Sequence, residues 1–118
     1  MKLLTKEIIA KLEKRGTGNE NYKDDDPIIT KFFNPTGAGT WYVMEGEQQP
    51  DGDWLFFGYV DLLSTEWGYF SLNELESVRL PLGLGIERDI NFSGTYSNIV
   101  WGQFSRHGKL QPSSKHGN

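Results

Sequence analysis

TWYVMEGEQQPDGDWLFFGYVDLLSTEWGYFSL (Thr40–Leu72) is the stretch that decides the fold of this 118-residue chain. Its aromatic and β-branched residues gather in three runs, and such runs favour strands. We predict strands over Trp41–Glu45, Trp54–Leu63 and Trp67–Phe70. Proline and Asp–Gly turn signals predict a hairpin loop over Gly46–Asp53. Because the second run is almost continuously apolar, it is expected to be a central strand that is covered on both faces.

The residues before this stretch predict one helix and one further strand. Thr5 is a suitable N-cap for an amphipathic helix over Lys6–Lys14, and Gly16 is placed to end that helix. The polar segment Thr17–Pro27 predicts a mobile loop. Ile28–Phe33 has the β-branched and aromatic composition of a strand.

The residues after the stretch predict a second helix and two weaker strands. Ser71 and Glu74 have the spacing of a capping box, which marks the start of a short helix. Ile86–Phe92 alternates apolar and polar residues as a strand does. Tyr96–Phe104 is predicted to add one more strand.

Together these elements predict one α+β domain. We expect an antiparallel or mixed sheet of about five strands, with the N-terminal helix and a second short helix packed on it. Residues 1–104 are long enough for a single core, and residues 105–118 are polar and expected to form a flexible tail.

Charge and residue counts disfavour several classes of protein. The formal net charge is −4, so broad attraction to nucleic acid or to an anionic membrane is not expected. The chain has no cysteine, which excludes disulfides and cysteine-ligated metals. Charged residues interrupt the opening MKLLTKEIIAKLEKR, unlike a signal peptide, and no segment has the length of a membrane span. A cytoplasmic location is therefore expected.

Six motifs follow one another in residues 1–92: MKLLTKEI, DPII with KFFNP, TWYVMEGE, DWLFFGYVD, GYFSLNELESVR and GLGIERDINF. On these motifs the chain resembles the bacterial family known as domain of unknown function 2958. The resemblance implies a small cytoplasmic protein carried by plasmids, integrative elements and phages, often near conjugation or antirestriction genes. It implies no catalytic residues. Gly85 stands where the family pattern has proline, and the residues after Phe92 lie outside the pattern that carries the resemblance.

The sequence contains no constellation typical of a metal site, and we expect neither a metal nor a cofactor. Asp24, Asp25 and Asp26 lack the staggered spacing of a calcium loop. His107 and His116 have no third ligand nearby in the sequence.

Acidic residues border the predicted strands. Glu45 and Asp53 fall at the ends of two paired strands and are expected to lie close together. Paired carboxylates can act as acid and base when burial separates their pKa values. The same carboxylates could instead form salt bridges with Arg79 and Arg88, or keep the strand edges soluble.

Two functions remain open at this stage. The first is that of a non-enzymatic accessory protein of a mobile genetic element, which binds a host or element-encoded protein through an aromatic and acidic face. Counter-defence is one role considered for it. The alternative is a small nucleotide-like ligand-binding protein or enzyme, with paired carboxylates and a pocket lined by Trp41, Tyr59 and Trp67. The candidate binding residues, all aromatic or charged, are Trp41, Glu45, Asp53, Trp54, Tyr59, Glu66, Trp67 and Arg88.

Overall fold

The structure is a computed structural model that describes residues 2–102. Its strands are β1 (Thr30–Phe33), β2 (Thr40–Gln48), β3 (Trp54–Asp61), β4 (Thr65–Ser71) and β5 (Glu87–Arg88). Its α-helices are α1 (Lys6–Arg15), α2 (Leu72–Glu76) and α3 (Tyr96–Val100). All strand pairs are antiparallel, and the five strands lie in the order β4-β3-β2-β1-β5. The predicted α+β class and the sheet of about five strands are confirmed. In this part of the chain, no helix is both long and apolar enough to cross a membrane.

The first two helices begin where their capping residues predict. The Thr5 hydroxyl accepts a hydrogen bond from the Ile8 N–H at 3.2 Å, so α1 starts at Lys6. Gly16 ends α1 at a φ of 74°, a backbone conformation that favours glycine. At α2, Ser71 and Glu74 form the predicted capping box.

One face of the sheet, called here the helical face, packs against α1 and α2. Leu12 of α1 and Leu75 of α2 are buried there against side chains of β1 to β4. The opposite face is called here the aromatic face, because Tyr42, Phe57, Tyr59, Trp67 and Tyr69 lie along it. The strand side chains of the helical-face core are Phe32, Val43, Trp54, Phe56 and Phe70. This face is closed by apolar packing, which is the main favourable term in folding.

The aromatic face is covered at one end and open at the other. Over β1 and β2, a second buried cluster forms around Tyr42 and Met44, with Ile99 of α3 and Tyr22 packed against it. Over β3 and β4, the rings of Trp67 and Tyr69 are exposed. The open end of this face is therefore accessible to another molecule.

The strand that is covered on both faces is β2, and the prediction that Trp54–Leu63 would be covered on both faces is wrong. All five residues from Tyr42 to Gly46 are buried, whereas burial alternates along β3. The reason lies in the strand order, because β3 lies next to the edge strand, whereas the second buried cluster of the described residues is centred on β2. The observed β3 also ends at Asp61 rather than at Leu63.

Two predictions near the end of the described residues are corrected. The strand predicted over Ile86–Phe92 is reduced to the two residues of β5. Residues of the strand predicted over Tyr96–Phe104 form the helix α3 instead. Asn98 Oδ1 accepts hydrogen bonds from the Thr95 N–H at 2.7 Å and the Thr95 hydroxyl at 3.1 Å, which fixes a helical start. Phe104 and the tail predicted over residues 105–118 lie outside the described residues.

Candidate functional site

The eight candidate residues do not form one surface. Trp54 is only 6% exposed and belongs to the helical-face core, so its proposed place on a binding surface is wrong. Trp41 also packs against that core. Tyr59 and Trp67 lie on the opposite face, with ring centroids 5.5 Å apart. The pocket predicted between Trp41, Tyr59 and Trp67 is therefore not assembled, because the sheet itself separates the first residue from the other two.

Arg88 and Asp53 support the fold rather than a common site. The Arg88 guanidinium donates to the carbonyl oxygens of Lys2 and Leu3, the second at 3.0 Å, and so holds the N-terminal segment to β5. Asp53 Oδ1 accepts from the Trp54 N–H at 2.7 Å and from the Asn73 N–H at 2.9 Å. Asp53 thereby satisfies a backbone donor in the first turn of α2 from a neighbouring loop.

The predicted pairing of Glu45 with Asp53 is not found. Glu45 lies opposite Phe57, and three residues further along β2 Gln48 lies opposite Trp54. Asp53 comes before Trp54 at the hairpin end, so the two carboxylates are separated along the strand pair. Lys31 and Asp89 form an ion pair at 3.3 Å, a pairing that the sequence did not predict.

Glu45 reaches the aromatic face because β2 carries a bulge. The register between β2 and β3 shifts between Val43 and Glu45, so Met44 is an extra residue in the ladder. Both Met44 and Glu45 consequently point to the aromatic face, where strict alternation would send Glu45 to the helical face. Gly58 lies opposite Val43, and a Cβ on Gly58 would stand 1.8 Å from the Tyr42 carbonyl oxygen.

Glu45 is 5% exposed, and its carboxylate fastens the Thr17–Pro27 segment to the sheet. Oε1 accepts from the Gly18 N–H at 2.9 Å, and Oε2 accepts from the Asn19 N–H at 3.1 Å, the Asn19 side-chain amide at 3.0 Å and the Tyr22 hydroxyl. Burial and the adjacent Glu45 carboxylate raise the pKa of Tyr22 above its ordinary value. The segment predicted to be a mobile loop is therefore anchored by four hydrogen bonds to one side chain.

The open end of the aromatic face is a platform of mutually packed rings. Tyr69 is 72% exposed and Trp67 is 38% exposed. Trp67 stacks on Phe57 with ring centroids 5.8 Å apart and an interplanar angle of 16°, and Tyr69 contacts Phe57 at 5.0 Å. Trp67 also meets Tyr96 of α3 at 5.9 Å. These contacts fix the rings in place, which lowers the entropy lost when a partner covers them.

These two exposed rings belong to an edge strand. Within the described residues, β4 pairs with β3 alone, so the backbone groups of its other side have no ladder partner. Such an edge can accept an added strand from another chain. Its charged residue, Glu66, is exposed and lies opposite Val60 of β3, a residue of the helical face.

Two of the clefts on the described surface lie at opposite ends of β2. One of about 250 Å³ adjoins the exposed rings and is lined by Thr17, Gly18, Glu45, Gly46, Glu47, Leu55, Phe57 and Tyr69. The other, of about 690 Å³, lies at the opposite end of β2 and is lined by residues 33–40 except Thr36, together with Asp61 and Leu62. None of the eight candidate residues lines the larger cleft. Among residues 2–102 no group of three or more acidic or histidine side chains could hold a metal ion.

The sequence interpretation missed Tyr69, Phe57 and Glu47. A period-two pattern in EWGYFS places Tyr69 on the same face as Trp67, and this signal was available. Phe57 is harder to find, because Phe56 and Phe57 are adjacent and only the register shows which of them is in the core. Glu47 depends on the bulge in β2, which has no local signature in the sequence.

A family model described as "Protein of unknown function (DUF2958)" matches residues 3–110 of this chain. The match extends beyond Phe92, so the segment that lay outside the recognised motifs is part of the family pattern up to residue 110. No curated protein and no solved structure matches the chain.

Proposed function

This chain belongs to the DUF2958 family, and we propose from its structure that it is a non-enzymatic protein-binding module whose partner covers β4 and the open end of the aromatic face. The observation that carries the proposal is the combination of an edge strand with two exposed rings, Trp67 and Tyr69. Tryptophan and tyrosine are the residues most enriched at the energetic centres of protein interfaces. An exposed aromatic edge strand is also an aggregation hazard, so its presence on the surface favours a role in binding.

The chemistry of binding would follow from strand addition. The free side of β4 offers main-chain donors and acceptors that hold a partner strand in register. Trp67 and Tyr69 project from the same face of β4 and would take the partner's alternate side chains. Main-chain bonds would supply sequence-independent affinity, and the rings would supply selectivity.

Charge favours a basic partner. The Glu47 carboxylate is exposed on the same face of the sheet as the rings, and the chain as a whole has a formal net charge of −4. Complementary charge accelerates encounter and disfavours acidic competitors. The mobile-element setting that the family resemblance implies makes a host or element-encoded protein the expected partner, and a host defence protein is one such candidate.

The proposal is tested by affinity purification from host lysate with three baits. These are the wild type, the double variant Trp67→Ser/Tyr69→Ser, and the control Leu82→Ser/Ile90→Ser, which removes two exposed apolar side chains elsewhere on the surface. We expect at least one protein to be recovered equally by wild type and control, and to fall by at least about tenfold with the double variant.

The recovered protein is then purified, and its affinity for the three baits is measured by calorimetry. The same ranking is expected in the purified system. The proposal fails if every recovered protein binds the double variant as well as it binds the wild type.

A further inference from the structure

We propose that the small cleft beside Tyr69 receives the side chain of an arginine from the bound partner. This inference rests on the proposed function, because it names the residue that the partner presents to the aromatic face. The cleft is the one of about 250 Å³ that has Tyr69 and Phe57 among its lining residues on the sheet and Thr17 and Gly18 on the loop. The side chains that line it are of three kinds: aromatic, aliphatic and carboxylate.

The strand register shows how the cleft is built. One row of cross-strand neighbours runs from Glu45 on β2 through Phe57 on β3 to Tyr69 on β4. The next row pairs Glu47 with Leu55. All five side chains lie on the aromatic face, so the acidic residues of β2 stand on one side of Phe57 and the exposed ring of Tyr69 stands on the other.

The shape of the cleft fits a single long side chain. Pockets for drug-sized ligands have volumes of about 300–1,000 Å³, and this cleft is smaller. An arginine side chain needs an apolar surface for its methylene stem and a polar end for its guanidinium. Phe57 and Leu55 supply the apolar surface for the methylene stem. The planar guanidinium can stack on the Tyr69 ring while it binds the Glu47 carboxylate.

The charge balance also favours a cation. Glu45 already accepts four hydrogen bonds, so it contributes negative potential rather than a new contact. The Glu47 carboxylate is exposed and has no hydrogen-bond or ion-pair partner among residues 2–102. Arg15 is already engaged, because its guanidinium donates to the Met44 carbonyl at 2.9 Å and lies 5.7 Å from the Tyr22 ring centre. The described residues that line the cleft include two carboxylates and no cation, so the cleft is negative.

Arginine is favoured over lysine on chemical grounds. Its guanidinium is planar and weakly hydrated, so it stacks on tyrosine and pairs with a carboxylate through two parallel hydrogen bonds. The ammonium of lysine is a compact, strongly hydrated charge that gains less from an aromatic wall.

The test uses Nα-acetyl-argininamide as the probe, with the lysine and citrulline compounds for comparison. Citrulline preserves the shape of arginine and removes its charge. Binding is followed by amide chemical shifts of the ¹⁵N-labelled protein. We expect saturable shifts at Gly18, Gly46 and Leu55 with the arginine compound, weaker binding of the lysine compound, and no saturation with the citrulline compound.

Two matched variants locate the cation. Glu47→Gln should weaken binding of the arginine compound about threefold to fivefold, as expected for one exposed ion pair, and Glu66→Gln should leave it unchanged. Both substitutions remove one exposed carboxylate, so the overall charge changes equally. Equal binding of the citrulline or lysine compound, equal weakening by the two variants, or the absence of saturable shifts would each overturn the proposal.

These outcomes are separable from those of the proposed function. The probe experiment uses no partner protein, whereas the purification experiment depends on Trp67 and Tyr69. If the arginine compound does not bind but the Trp67→Ser/Tyr69→Ser variant still loses its partner, the arginine assignment is wrong and the binding module stands.

Discussion

Replacing Glu45 by alanine should detach the Thr17–Pro27 segment from the aromatic face and destabilise the whole domain. The carboxylate accepts four hydrogen bonds, and a hydrogen bond to a charged group contributes about 1.5–3 kcal/mol. Gly18 and Asn19 are exposed, so in the variant their N–H groups form hydrogen bonds to water in place of most of the lost bonds to Glu45. The Tyr22 hydroxyl belongs to a half-buried side chain, so water replaces its hydrogen bond to Glu45 less completely.

If the Tyr22 hydrogen bond contributes its whole energy and the three solvent-exposed bonds contribute only a small part of theirs, the free energy of unfolding falls by about 3 kcal/mol. For a domain of this size, that loss lowers the melting temperature by about 12 °C. The change is measured by urea unfolding followed through tryptophan fluorescence, with hydrogen exchange at the Gly18 and Asn19 amides as a local readout. Both amides should lose protection.

The matched control is Glu47→Ala, which removes an exposed carboxylate two residues along the same strand and should cost less than about 0.5 kcal/mol. A double-mutant cycle between Glu45→Ala and Tyr22→Phe should give a coupling of about 1 kcal/mol. If the two glutamate variants are equally stable, or if the two amides keep their protection in Glu45→Ala, Glu45 does not anchor the segment.

Three further predictions concern the sheet and its neighbouring helix. Gly58→Ala should lower the free energy of unfolding by about 3 kcal/mol in the same urea titration, because its Cβ would overlap the Tyr42 carbonyl oxygen. The control is Gly68→Ala, whose Cβ would meet no atom within 4 Å and which should change the free energy of unfolding by less than about 0.5 kcal/mol. Asp53→Ala should lower the free energy of unfolding by about 1 kcal/mol, because the Asn73 N–H in the first turn of α2 loses its acceptor. An unchanged unfolding midpoint in urea would contradict this role. Burial, with smaller effects from nearby acidic groups, raises the pKa of Tyr42 above its ordinary value of about 10. The contribution of neutral Tyr42 to the free energy of unfolding is therefore present below about pH 10 and should fall as the pH rises further. A Tyr42→Phe variant whose unfolding midpoint falls equally steeply with pH would contradict this cause.

Local signals predicted much of the fold. The Thr5 cap, the Gly16 stop and the Ser71–Glu74 capping box all have their effect within one or two turns, so the sequence alone locates α1 and α2. The central strands are similarly marked by aromatic and β-branched runs. The family was also recognised from short motifs, although the match extends to residue 110 rather than ending near Phe92.

The candidate surface was predicted less well, because exposure depends on the neighbours of a strand. Trp54 and Trp67 have similar sequence surroundings, yet Trp54 faces the helical-face core and Trp67 faces the open end of the other face. Glu45 was expected at an exposed margin and is buried under a loop that its own carboxylate holds. The helix at Tyr96–Val100 was predicted as a strand, because an aromatic and β-branched run of that length fits either element until its packing is known.

The sequence by itself determined the α+β class, the aromatic strands and the first two helix starts, because these depend on backbone preferences and on side chains close together in the chain. The tertiary structure decided which aromatic rings remain exposed and what Glu45 binds. A single bulge at Met44 turns Glu45 to the aromatic face, and the strand order leaves β4 at the edge with Trp67 and Tyr69 uncovered. Both outcomes depend on the register and order of strands that are distant in sequence, which no local pattern specifies.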